Sequence, residues 1–483
     1  MQLKYSNLPI KIFTKEIQQS LKNNPNQCIP VLIGRPYILW RKEYIKIKGK
    51  FKELVLAHAQ YRGNALFFTD TDISILQLIN GVNSVDQILH KISTTTRTED
   101  ASKEVWTTIQ MMEERAILGW QVEDTVYLHV FFKPYKTYAG YQKQGFYEKM
   151  LRKLPSGHIN TPVAVQLIIT TKCHSSCIFC FENIGKLWNT GRFKEMNENQ
   201  LELEDQLKLI KKLDKLGVLE ISISGGEPTI VPELLFEIMQ ECNKRKIGCS
   251  IVSNGYEFAD HHFAEDYVRI TRKGIDGSDI IQISCESTDA TLQRYLRPGV
   301  SLKKIEDAVH NLKDLGLKPY LCSVMNKLNF HEMEKLTNYS KELGCIQWRT
   351  EDVRPIGAAL GRIRELLLTP KQMAEMYAYI LKKKIEYQGS DFYENDGAAS
   401  IPRNVDFTVN DYRPPPYLCP YEKIRNKKRR CWGCGAAERN LTIAPDGTVI
   451  PCGYLLAYPE QWGGNIRNKD IMDLWKHDKV LKR

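Results

Sequence analysis

The sequence predicts an α/β chain. Six strand–loop–helix units form a parallel sheet, open or partly closed as a barrel, with a winged-helix-like unit before it and a cysteine-rich tail after it. Three observations predict this. From residue 161, short apolar runs alternate with amphipathic helical patterns, several closing on glycine, as at Gly217, Gly316 and Gly344. Ahead of them, alternating strands lead into three helical patterns between 36 and 122. After residue 415 the chain turns loop-rich and holds Cys419, Cys431, Cys434 and Cys452.

At 483 residues the chain is too long for one core, and 42% hydrophobic with 10% aromatic content is ordinary for a globular enzyme. The amino terminus lacks the apolar stretch of a secretory signal, and no apolar run reaches bilayer length. These features predict a cytoplasmic protein with no membrane partner. In a reducing compartment, thirteen cysteines point to metal or redox work rather than disulfides. A net charge of +11 suits an acidic partner but does not choose one.

Residues 1–35 read as an extension and 36–122 as a unit of their own. "YIKIKG", "ELVLAHA" and "ALFF" are its strands. "DTDISILQLING" ends on Gly81, and "SVDQILHKIS" opens with Ser84 and Gln87 at capping-box spacing. The third helix carries Val105, Ile109, Met112 and Ile117 at near-helical intervals. A DNA-binding helix-turn-helix is the plain reading, but "MMEER" is a poor base reader. Residues 123–160 are a basic, tyrosine-rich linker, more in keeping with packing on a neighbour than with binding single strands.

The repeat occupies 161–365, with strands expected at 163–170, 219–224, 248–253, 279–285, 318–325 and 345–351. Helices are expected near 199–216, 232–246, 260–273, 301–315 and 330–343. A connecting helical stretch lies in 366–415 and the tail runs over 416–483. In such folds the active site sits at the carboxyl ends of the strands.

Directly after the first strand, "TTKCHSSCIFCFEN" places Cys173, Cys177 and Cys180 on one loop. Three thiolates hold three irons of a [4Fe–4S] cluster and leave the fourth iron open, whereas a zinc site would need completion from elsewhere. This CxxxCxxC spacing, with Phe179 before the last cysteine, resembles the radical S-adenosylmethionine (radical SAM) superfamily. The resemblance implies a partial (β/α)6 barrel and an open iron chelated by SAM. Reductive cleavage of SAM then gives a 5′-deoxyadenosyl radical.

Further landmarks of that family follow on successive strand ends. Gly225, Gly226, Glu227 and Pro228 resemble its GGEP motif, implying a contact to the SAM amino group. Ser253 and Asn254 stand where the family has "TNG". "QISCES" resembles "ISLDG", making Ser284 the implied ribose contact, with Glu286 in place of the usual aspartate. Arg297 stands where an arginine takes the SAM carboxylate, and Arg294, one turn earlier, is a second candidate. "NFHEM", with Asn329, resembles the pattern after strand five.

The tail spacing from Cys434 through Gly447 to Cys452 resembles the opening of SPASM and twitch domains. With Cys419 and Cys431 it implies one auxiliary [4Fe–4S] cluster; a four-cysteine zinc ribbon is the alternative. Cys28, Cys242, Cys249, Cys285, Cys322 and Cys345 read as core residues. Of these, Cys322 is the candidate hydrogen-atom donor to a substrate radical, because alternation with Ser284 points Cys285 away.

Beside such a barrel, residues 36–122 resemble a PqqD-like recognition element, which binds the leader of a ribosomally made peptide as an added strand. The whole then resembles a peptide maturase of the sactipeptide or ranthipeptide kind. It implies a precursor peptide, a flavodoxin or ferredoxin as reductant, no nucleic acid, and thioether formation between a cysteine sulfur and an acceptor carbon. Carbon–carbon cross-linking and α-carbon epimerisation stay open. Maturation of a folded protein, as in formylglycine formation, leaves the amino-terminal unit unexplained. An iron–sulfur DNA-binding regulator leaves the GGEP motif and Arg297 idle.

Overall fold

The structure is a computed structural model. It describes residues 10–12, 21, 23–32, 38–47, 50–59, 65–68, 71–95, 100–114, 118–128, 161–182, 190–271, 280–388, 408–411, 436–437 and 439–481. The chain divides into two compact units, Met1–Asn160 and Thr161–Arg483.

In the first unit, β3 (Ile38–Ile47), β4 (Lys50–Ala59) and β5 (Ala65–Phe68) form an antiparallel sheet in that order. Helices Thr71–Leu78, Val85–Thr95 and Ala101–Glu114 follow. The capping box forms as expected: Ser84 N donates to Gln87 Oε1 at 2.9 Å and Gln87 N to Ser84 Oγ at 3.4 Å. Val105, Ile109 and Met112 are fully buried, so the helical interval predicts the core face. Ile117 lies outside the described residues.

The unit also holds a second sheet that draws on the segment read as an extension. There β2 (Ile29–Leu32) pairs antiparallel with β6 (Leu118–Val122), and β1 (Ile10–Ile12) pairs parallel with β7 (Thr125–Leu128), in the order β1-β7-β6-β2. Trp120 of β6 is fully buried, its ring centroid 6.4 Å from that of Trp106.

The second unit is built on β8 (Ala164–Ile168), β9 (Glu220–Ser224), β10 (Gly248–Ser253), β11 (Ile280–Ser284), β12 (Tyr320–Met325) and β13 (Gln347–Asp352), all parallel in sequence order. Each agrees with its expected strand to within two residues. Helices Leu203–Lys215, Pro232–Arg245, His261–Ile270, Leu302–Asp314 and Met333–Leu343 join them. Their buried stripes, such as Ile305, Ala308, Val309 and Leu312, cover one face of the sheet. Gly217, Gly316 and Gly344 take left-handed φ of 77°, 84° and 88°, ending three of these helices.

Three strands come from the later chain. β14 (Thr408–Asp411) pairs parallel with β13, β15 (Asn440–Ile443) pairs parallel with β8, and β16 (Val449–Ile450) returns antiparallel on β15. The result is a nine-stranded sheet, β14-β13-β12-β11-β10-β9-β8-β15-β16. Among the described residues, no helix is long and apolar enough to cross a membrane.

Candidate active site at the strand ends

The cysteine loop leaves β8 and is held by backbone from the segments that follow β9 and β13. Gly226 N donates to Thr170 O and Glu227 N to Lys172 O, both at 2.8 Å, and Ala358 N donates to Cys180 O at 2.9 Å. A Cβ at Gly226 would lie 2.2 Å from Lys172 O, at Gly299 2.6 Å from His174 O, and at Gly357 2.2 Å from Phe181 O. No side chain fits at those three positions. The approach explains the glycines physically.

The thiols are placed in a low-dielectric pocket. Burial raises the pKa of Cys173, with charge on Cys177 adding to it; burial likewise raises Cys177, and Arg297 opposes. Ser175 Oγ, buried between these two positions in the loop, has no hydrogen-bond partner among the described residues. Among those residues, no group of three His, Cys, Asp or Glu side chains forms a ready single-ion site. A four-iron cluster differs from a single ion in taking each thiolate on a separate iron. The tight backbone cradle, the orphan hydroxyl and a three-thiol donor set fit such a cluster.

Around this loop the other landmark residues form two carboxylate-centred knots. The Glu227 carboxylate is buried and accepts from Thr229 N (3.2 Å), Thr229 Oγ1 (2.7 Å), Ser253 Oγ (2.9 Å) and Asn254 N (2.7 Å). It ties the end of β9 to the end of β10. Pro228 is buried and opens the short turn Pro228–Ile230. Asn254 Nδ2 lies 3.0 Å from His174 Nε2, joining this knot to the cysteine loop.

The second knot is centred on Glu286, fully buried just past β11. Its Oε1 accepts from Arg297 Nη2 at 2.6 Å and Nε at 3.2 Å, and its Oε2 accepts from Val324 N at 2.7 Å. Burial raises its pKa and Arg297 opposes. Burial works against the Arg297 charge, yet Cys177, Glu286 and Cys173 together hold its pKa above the ordinary range. The guanidinium also lies 5.6 Å from the Phe179 ring centroid. Asn329 Nδ2 donates to Glu286 O at 2.8 Å and to Val324 O at 3.1 Å, locking β11 to β12. Arg294, by contrast, is exposed.

Ser284, Cys322 and Arg349 are register partners across β11, β12 and β13. The Cys322 thiol, raised by burial, is influenced by Glu351, Arg349, Glu286 and Arg297. Cys285 shares its surroundings with Cys345 and Tyr339, toward helix Met333–Leu343. Both thiols are influenced by Glu286 and Arg297; Cys322 is influenced also by Glu351 and Arg349, and Cys285 by Cys345.

The tail reaches the same place. A Cβ at Gly453 would lie 2.6 Å from Gln166 Oε1 on β8. Tyr454 OH donates to Glu351 Oε2 at 3.0 Å, and its ring meets Phe181 edge-on at 4.6 Å. Tyr454, two residues past Cys452, thus reaches the active end of the sheet, while Cys419, Cys431 and Cys434 lie outside the described residues. Sequence reasoning did not single out Gly357, Glu351 or Tyr454. The available signal was the pair Gly453-Tyr454 directly after Cys452, and a glutamate at a strand's active end.

Residues 167–339 match the model of the radical SAM superfamily, and residues 421–482 match that of the SPASM iron–sulfur cluster-binding domain. The chain is a radical SAM enzyme with a SPASM domain. Its cofactors are accordingly a [4Fe–4S] cluster with SAM and SPASM-bound iron–sulfur, which decides against zinc in the tail. This radical SAM enzyme is 24% identical over 323 residues to a PqqA peptide cyclase of Ruegeria pomeroyi, covering 66% of this chain and 75% of the relative. It is 20% identical over 329 residues to the mycofactocin maturase MftC of Mycolicibacterium smegmatis, covering 67% and 72%. Its fold matches the crystal structure of Streptococcus suis SuiB bound to precursor peptide SuiA. The TM-score is 0.59, the identity 16%, and the match covers 92% of this chain and 88% of SuiB.

Proposed function

We propose that this radical SAM enzyme matures a ribosomally made precursor peptide, joining a cysteine sulfur to an acceptor carbon as a thioether. The observation that carries the reading is the domain set. A unit of small sheets and helices precedes a radical SAM domain and a SPASM domain, in a fold shared along 92% of the chain with a protein crystallised with its precursor peptide. Relatives named as a peptide cyclase and a maturase favour bond formation within a peptide.

In this reading Cys173, Cys177 and Cys180 hold three irons. Arg297 takes the SAM carboxylate, Ser284 the ribose, and Gly225 and Gly226 the amino-group side with Ser253 and Asn254. With four protein donors already on its carboxylate, Glu227 acts by fixing the Gly225–Gly226 backbone. Cys419, Cys431, Cys434 and Cys452 hold one auxiliary [4Fe–4S] cluster. Reduced by a flavodoxin or ferredoxin, the bound cofactor supplies a deoxyadenosyl radical that removes a hydrogen atom from the peptide. The first unit binds the leader along a sheet edge; β5 pairs only with β4 among the described strands.

The test is co-expression with the peptide encoded by a short cysteine-containing reading frame beside the gene, read by intact mass in light and heavy water. A loss of two hydrogens supports a cross-link, and alkylation-resistant cysteine then identifies the thioether. One deuterium gained without that loss supports epimerisation instead. An unmodified peptide overturns the proposal.

A further inference from the structure

Cross-linking removes two hydrogens from a peptide, and only one leaves as an atom. Joining sulfur to carbon breaks one C–H and one S–H bond and makes one C–S bond. The carbon's hydrogen atom goes to the deoxyadenosyl radical. One electron passes to the oxidant, an auxiliary [4Fe–4S]2+ cluster. The sulfur's hydrogen departs as a proton, and a proton needs an acceptor within hydrogen-bond reach.

Most carboxylates near the strand ends are already occupied. Glu227 holds four donors, and Glu286 holds Arg297 and Val324 N. Asp352 pairs with Arg354 at 3.0 Å and Tyr377 OH at 3.2 Å. Glu332 accepts from Ser287 Oγ and Thr288 N, and Glu182 is only 3% exposed.

Glu351 differs in three ways. It stands at the active end of β13, in register with Val324, whose amide binds Glu286. It is only partly buried, so a substrate has access to it. Its hydrogen-bond donor among the described residues is one neutral group, Tyr454 OH, and no guanidinium sits on it. The donor lies two residues beyond Cys452, on the segment that brings the SPASM domain to this end of the sheet.

We propose that Glu351 is the general base that takes the proton released by the peptide during cross-linking, with Tyr454 orienting its carboxylate. The proposal rests on the cross-linking reading above. Its surroundings suit the task. Burial, the largest influence, raises the Glu351 pKa, and Asp352 adds to it; Tyr454, Arg349 and Arg354 act against. Cys322, facing it from β12, is kept protonated by burial. A base with a raised pKa is better matched to a thiol of ordinary pKa ~8.5 than a solvated carboxylate is.

The test uses reconstituted full-length enzyme, SAM, dithionite and the same neighbouring-frame peptide, deuterated at its non-exchangeable carbons. If the wild-type enzyme removes no hydrogens from it, the cross-linking reading fails and the proposal falls with it. Where the wild type does cross-link it, Glu351→Gln is expected to lower cross-linked peptide per deuterated 5′-deoxyadenosine on the order of 100-fold. Glu351→Asp is expected to recover part of that loss. Tyr454→Phe removes a bond to the charged carboxylate, so the acid limb of the kcat/KM profile should move to higher pH. Iron content and the SAM-induced EPR shift of each variant establish that its site is assembled. The proposal is overturned if Glu351→Gln keeps that ratio within about threefold of wild type. It is also overturned if product and deuterated 5′-deoxyadenosine fall together with the EPR shift intact, since the residue then acts before proton loss.

Discussion

Glu286 shows how a single side chain can be unreadable in sequence and plain in structure. The family's usual residue there is aspartate, and the extra methylene of glutamate looks like a departure. In the fold that length lets one carboxylate meet both Arg297 and the amide of Val324, on different elements. Glu286→Asp is therefore expected to lose one of the two contacts and cost about 1–3 kcal/mol in denaturant unfolding. Arg297→Ala leaves the buried carboxylate uncompensated and is expected to cost about 3–5 kcal/mol, with loss of the SAM-induced EPR shift. Glu220 offers a pH test away from the cluster. Burial raises its pKa, against Ser250 and Arg349. A carboxyl whose pKa rises on folding contributes its stability below the unfolded value near ~4.3, and loses it as pH rises through the folded value. Glu220→Gln should therefore raise the melting temperature relative to wild type at pH 8 more than at pH 4.

At the scale of elements, the cysteine loop is shaped less by its own sequence than by the glycines pressed against it. Gly357 combines a φ of +57° with a Cβ direction that runs into Phe181 O and Cys180 O. Gly357→Ala is expected to displace the loop, and anaerobic reconstitution of the variant should recover less than half of the wild-type iron. The central strands were legible because buried parallel strands are continuous apolar runs, and the helices because glycine and amphipathic stripes bound them. What escaped was short or distant. β14, β15 and β16 are four, four and two residues long and carry no period of their own. The partners of Glu227 include Ser253 and Asn254, 26 and 27 positions away, and Tyr454 lies 103 positions from Glu351. Motif resemblance named the residues, while the hydrogen bonds that set their roles depend on the folded chain.

For the whole molecule, the amino-terminal unit and the barrel-bearing unit each carry their own core. The first is more extensive than the 36–122 stretch that sequence patterning marks, because β1 and β2 are built into its second sheet. A deletion meant to remove the first unit whole should therefore end near residue 160 rather than 122. An excision at 122 strands β7 from its partner and is expected to give aggregated protein by size exclusion. Cys452→Ala is expected to lower the iron count by about four per chain while keeping the SAM-sensitive EPR signal.

The pairing of β15 with β8 has a further consequence, in time rather than in space. β8 is the first barrel strand to leave the ribosome and β15 nearly the last element to do so, 276 positions separating Gln166 from its partner Thr442. Until the tail is made, the outer edge of β8 offers unpaired amides to any other extended chain. At synthesis rates of ~5–20 residues per second, that edge stays open for about 14–55 seconds in every molecule produced. A premature stop in the tail would leave it open for good. Such truncated chains should collect in inclusion bodies, as victims of an unfinished sheet rather than of a lost metal site.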